Sequence, residues 1–227
     1  MTRRNEENSA RANAFVDAYR QASAVQFQSQ PPDLRAQLTD AETHGWPDVE
    51  YMLHYAAYCH AATSALPQAA RIAAAVDQMR KLADRLGDPV VGAMTTAIEA
   101  RVRGSALNDG DVNLEQDEVD LAHAIARLDD ADPESPFRGI AFFACAIAYA
   151  QSAAVQLEVD MYDRVEAANH NLPDQYHELR TITLREVAQN RVSALLDLAC
   201  EQAELGNRDE AAKMAAEALD RPLVRVL

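Results

Sequence analysis

Residues 195–219 read LLDLACEQAELGNRDEAAKMAAEAL. Apolar or small side chains fall at Leu195, Leu198, Ala199, Leu205, Ala211, Ala218 and Leu219, in the three- and four-residue steps of one helical face. Gly206-Asn207 breaks the pattern, and glycine is the usual residue just past a helix end. A second helix, Asp209 to Leu219, starts almost at once. Two amphipathic helices joined so tightly must run antiparallel, so this stretch is a helical hairpin.

The same punctuation recurs upstream. A long pattern from Tyr176 feeds into the hairpin after Leu172-Pro173-Asp174, and Val155 to His170 forms the helix before it. The segment from Pro136 is the most apolar of the chain, with Ile140 to Tyr149 apolar on every side, which predicts a central helix covered by neighbours. Nearer the start, Ala14, Phe15, Ala18, Ala22 and Val25 form one stripe over Asn8 to Gln30 before Pro31-Pro32. Short runs follow over Asp33–Thr43, Pro47–Ser64, Pro67–Leu86 and Pro89 to about Leu107, then Leu114–Leu128 with its acidic first turn. Gly45, Gly87 and Asp132-Pro133 are the breaks, and proline at a first helical position costs nothing because that N–H has no partner anyway. About ten helices result.

Composition agrees. Only 7 of 227 residues are glycine, while alanine-rich runs such as Ala73-Ala74-Ala75 favour helix because alanine loses least on entering one. Hydrophobic residues make up 48%, enough for a real core in a single helical domain. That domain divides into an N-terminal helix (1–30), first hairpins (31–107), an acidic turn and helix (108–135), C-terminal hairpins (136–220) and an apolar tail or linker start (221–227). With 36 Asp+Glu against 21 Lys+Arg the formal charge is −15. Such a chain lacks the clustered cations that grip phosphates, which argues against nucleic acid and anionic membranes as partners. No apolar leader or membrane-length run occurs, and Cys59, Cys145 and Cys200 are odd in number and lie among apolar residues. Buried thiols in a reducing cytoplasm are the expectation.

The spacing of Leu195, Leu198, Ala199, Leu205, Gly206, Ala211 and Ala218 resembles one tetratricopeptide repeat, departing from it at Gln202, Ala215 and Pro222. Ala70 to Arg103, with Leu82-Ala83 and Leu86-Gly87-Asp88-Pro89, is a fainter echo. The fold expected is therefore all-α, with antiparallel hairpins stacked as a tetratricopeptide-like right-handed solenoid. A more particular resemblance rests on Gly45-Trp46-Pro47-x-Val49, on Ala122 to Asp129, and on Asn190-Arg191 through Glu210-Ala211. Together these look like the helical input module of actinobacterial diguanylate cyclases. The Gly-Gly-Asp/Glu-Glu-Phe motif of that family's catalytic domain is absent from this sequence. The resemblance implies a regulatory, non-catalytic role in cyclic di-GMP signalling, without a cofactor.

Candidate site residues come from two patterns. Tyr51, Tyr55 and Tyr58 recur at helical spacing near Trp46, and tyrosine hydroxyls favour a wet edge, so these rings could line a half-exposed groove for a protein or peptide partner, or a homodimer contact. Arg101, Arg180 and Arg191 would serve the same concave face, the competing reading being core packing for the rings and local ion pairs for the arginines. The second pattern is acidic. Asp109, Asp111, Asn113 and Asp120 imitate a calcium loop, but Leu114 stands where the loop needs glycine. Asp129-Asp130-x-Asp132 has no second metal motif to complete it. A small all-helical metal-dependent enzyme using Asp109 to Asp132 is the alternative to an interaction module. The histidines do not form a zinc set, because His54 and His60 lie on different faces of their helix.

Overall fold

The computed structural model describes residues 3–24, 33–64, 68–104, 114–152 and 154–220. The elements are α1 (Arg3–Ser23), α2 (Arg35–His44), α3 (Pro47–Thr63), α4 (Ala69–Leu86), α5 (Pro89–Gly104), α6 (Leu114–Asp129), α7 (Pro136–Gln151) and α8 (Val155–His170). A 3-10 turn (Asp174–Tyr176), α9 (His177–Glu204) and α10 (Arg208–Asp220) complete them. No strand occurs among the described residues, and none of their helices is long and apolar enough to cross a membrane. Val25, the Pro31-Pro32 break, Pro67 and the tail 221–227 lie outside the described residues.

The odd-numbered helices form an inner layer. α1 packs on α3 and α9, α5 on α7, and α7 on α9, while α3 and α5 meet where the Tyr51 hydroxyl and Thr95 Oγ1 hydrogen-bond at 2.9 Å. Even-numbered helices back this layer, α4 more closely on α3 than on α5. In an open stack of hairpins the first and ninth helices would lie apart. Here they touch, and Phe15 of α1 is fully buried with its ring edge-on to Phe137 of α7 at 4.9 Å and to Tyr176, just before α9, at 5.9 Å. Each such pair adds about 0.5–1.5 kcal/mol beyond the area buried. The nearby Arg20–Glu178 ion pair is solvent-exposed, and such pairs contribute about 0.2–1 kcal/mol, so the rings decide the closure.

α7 is the central helix its sequence predicts, buried from Gly139 through Ala146. α3 is buried nearly as completely, including Asp48 and Glu50 in its first turn. Those carboxylates are paired, Asp48 with Arg11 at 2.9 Å and Glu50 with Arg85 at 2.8 Å, and they also lie where the helix dipole favours negative charge. Gly87 ends α4 in the left-handed conformation, φ +62°, its N–H donating to the Ala83 carbonyl. In the α9–α10 hairpin the small residues Ala199, Ala211 and Ala218 are buried.

α7 and α8 approach most tightly at Gly139, where an added Cβ would lie 2.8 Å from Asn169 Nδ2. Asn169 cannot swing away freely, since it is buried and Nδ2 donates to the Val165 carbonyl at 2.8 Å. Gly92 of α5, by contrast, has open space around it. Gly139→Ala is therefore expected to destabilise the fold by about 1–3 kcal/mol through overpacking. Gly92→Ala should stabilise it by up to about 1 kcal/mol through helix propensity. Urea melts of the two variants check the opposite signs, and Asn169→Ala added to Gly139→Ala should recover most of the loss.

Candidate functional site

The residues singled out in the sequence do not share one face. Trp46 sits at the α2–α3 junction, buried and stacked on His44 at 4.6 Å. Tyr51 lies mid-helix, fully buried between Thr95 and Phe137. Tyr55 and Tyr58 are buried as well, so the expectation of a half-exposed seam is corrected. α3 has neighbours on every side, and its tyrosines are core residues whose hydroxyls find partners inside. Arg191 is 5% exposed and held by Asp163 at 2.5 Å and Glu166 at 3.5 Å on α8. Arg180 Nη2 donates to the Leu172 carbonyl at 2.5 Å. Both arginines clamp local structure instead of lining a concave face.

Tyr55, Tyr58 and Arg101 do converge, in the last turns of α3 and α5. The two rings stack at 6.2 Å with 26° between planes, and the Arg101 guanidinium carbon lies 5.8 Å from the Tyr58 centroid, a cation–π contact. Three residues the sequence did not single out complete the cluster. Tyr19 of α1 donates its hydroxyl to Glu186 Oε2 of α9, and Ser23 also hydrogen-bonds that carboxyl. These positions are separated by more than 160 residues, and no local pattern could have signalled the pairing.

The electrostatics are those of a partly withdrawn polar knot, in which Cys59, Arg101 and Glu186 are half-buried. Burial, opposed in part by the Arg101 charge, pushes the Cys59 thiol up to about 12 and the Tyr58 hydroxyl likewise to about 12. Burial, aided by Glu186, holds Tyr19 well above its ordinary value. Burial also raises Glu186 itself, against the hydrogen bonds from Tyr19 and Ser23. A thiol so shifted stays protonated at neutral pH, and it is the thiolate that attacks. Cys145, fully buried in α7, is also pushed up to about 12. Cys200, expected to be buried, is instead exposed on α9.

Of the acidic candidates, Asp120 is spoken for. Its Oδ2 accepts from Arg103 at 2.7 Å and its Oδ1 from Gln116 at 2.8 Å, and Asp117 takes the other arm of Arg103 at 2.7 Å. Asp109, Asp111 and Asn113 lie outside the described residues. Asp129 pairs with Arg164 of α8. No group of three His, Cys, Asp or Glu side chains that could hold a metal ion occurs among the described residues. No family model, curated protein or solved structure matches the chain.

Two measurements follow from the cluster. Alkylation of the native protein should modify Cys200 rapidly, the half-buried Cys59 more slowly, and Cys145 only once denaturant is added, as mass spectrometry would show. For Glu186, a folded-state pKa above the ordinary 4.5 means the folded chain binds this proton more tightly than the unfolded one. The cost of burying the carboxylate is full above the raised value and disappears as pH falls through 4.5. Glu186→Gln carries no such cost. The stability difference between variant and wild type should thus shift in favour of the wild type as pH is lowered from neutral to 4.5; a constant difference would place Glu186 at its ordinary value.

Proposed function

We propose that the chain is a non-catalytic helical module that binds a protein or peptide partner. Its hairpins are of the tetratricopeptide kind, and its role is that of a regulatory input to a signalling protein of the diguanylate cyclase class. The observation that carries the binding reading is the final hairpin. α10 packs on α9, yet Leu219 is 80% and Leu205 67% exposed, with Leu196 41% exposed. Burying a leucine is worth about 1.5–3 kcal/mol, so three exposed on one hairpin make it the favoured place for an added helix or a second copy of the chain.

Other observations support a role without turnover. The Cys59 thiol is held protonated by burial, and Asp120 is committed to Arg103. The signalling assignment rests on the sequence resemblance around Trp46, His123 and Arg191.

A photo-crosslinking residue in place of Leu205 or Leu219, introduced in the native cell, tests the proposal. Both positions should give the same discrete adduct, of twice the chain mass if the partner is a second copy. Glu115 of α6, exposed and distant in sequence, should not give it. Identical background at all three positions would overturn the reading.

A further inference from the structure

Leaving α1 aside, the helices pack in an unbroken series, α2 on α3, α3 on α4, α4 on α5, α5 on α7, α7 on α8, α8 on α9 and α9 on α10. α1 lies outside that series. It bridges α3 and α9 and reaches the 3-10 turn between α8 and α9. Its buried side chains, Ala12, Phe15, Val16, Ala18, Tyr19 and Ala22, recur at the three- and four-residue steps by which an amphipathic helix lies in a groove. Residues 4–11, the turns before them, are exposed, so the helix is longer than its seat.

The polar contacts at the seat are one-sided. Arg11 Nε donates to both oxygens of Asp48, at 2.9 and 3.0 Å, Arg20 pairs with Glu178, and the Tyr19 hydroxyl donates to Glu186. In each the donor is on α1 and the carboxylate is on the body that receives it. α1 holds four arginines against three carboxylates, a formal +1, in a chain of −15, so that body carries −16. Two such bodies repel, and α1 is the part of the chain whose charge suits the seat.

We propose that α1 is an exchangeable arm: the groove between α3 and α9 takes the α1 of a second copy of the chain as well as its own. Every contact described above is the same in the two arrangements, which makes exchange of this element a low-cost route to a dimer. Residues 25–32 link α1 to the body, a length of chain that reaches up to about 30 Å. This linkage favours a chain's own helix in dilute solution, and rising protein concentration favours the partner's. The inference does not rest on the exposed leucines of α9 and α10, and its test reads the groove alone.

To test this, Arg20→Cys and Glu178→Cys are placed in separate full-length chains, each also carrying Cys200→Ser to remove the exposed thiol. The two are mixed at high concentration and treated with a short bismaleimide. An adduct of twice the chain mass is expected from this pair, and none above background when Lys213→Cys, at an exposed position of α10, replaces Glu178→Cys. A synthetic peptide of residues 3–24 in excess should abolish the adduct. The same peptide with Phe15→Ala should need about a hundredfold higher concentration, because it lacks the buried ring. A chain carrying both Arg20→Cys and Glu178→Cys, bridged internally while dilute, should stay monomeric on concentration. Absence of the adduct, or an equal yield from the two pairs, would overturn the proposal. So would an adduct that the peptide leaves intact, which is association elsewhere on the surface.

Discussion

The contact on which the architecture depends is the packing of Phe15 against Phe137 and Tyr176. It joins α1, the start of α7 and the entry to α9, elements that are far apart in the chain. Bringing them together has a loop-closure cost that grows only slowly with separation, so a few large buried rings suffice to offset it. Once α1 is seated, α3 and α9 gain their remaining neighbours, and the inner helices change from a row into a closed layer. Tyr19 and Glu186 then meet one turn further on, where they add direction to a contact the rings have already made.

A layer of helices running the same way has two chemically different ends. At one, the starts of α5 and α7 lie together, and Asp88, Asp132 and Glu134 line an open acidic surface pocket beside Tyr176. Toward the other, the buried Tyr55 and Tyr58 and the half-buried Cys59, Arg101 and Glu186 form a polar knot. The polarity of the peptide unit underlies both. Carboxylates stabilise N-terminal ends and cations C-terminal ends, and Arg101 and Arg103 in the last turn of α5 follow that rule.

Some of this was legible in residues alone. Gly45 and Gly87 end α2 and α4 where the sequence placed the stops, and the unbroken apolar run Ile140–Tyr149 marked a central helix. The tyrosines of α3 were harder. Tyr51, Tyr55 and Tyr58 share a helical period whether the stripe faces a groove or a neighbour, and period is blind to what lies opposite. α3 carries Asp48, Glu50 and His60 among its buried positions, so its sequence looks amphipathic although its surroundings are interior. Those charges are tolerated because Arg11 and Arg85 come from other helices to meet them.

What the sequence by itself determined is the helices, their breaks and their pairing into hairpins. These depend on propensity, caps and spacing within a few residues of each position, and such terms are written locally. The tertiary structure alone decided which helices form the inner layer, that α1 returns to α9, and which polar groups share a cavity. Asp88, Asp132 and Ser135 are ordinary turn and helix-start residues in the chain; they line one surface pocket only because the starts of α5 and α7 are packed side by side. Packing of side chains distant in sequence sets that arrangement, and no short stretch carries the information.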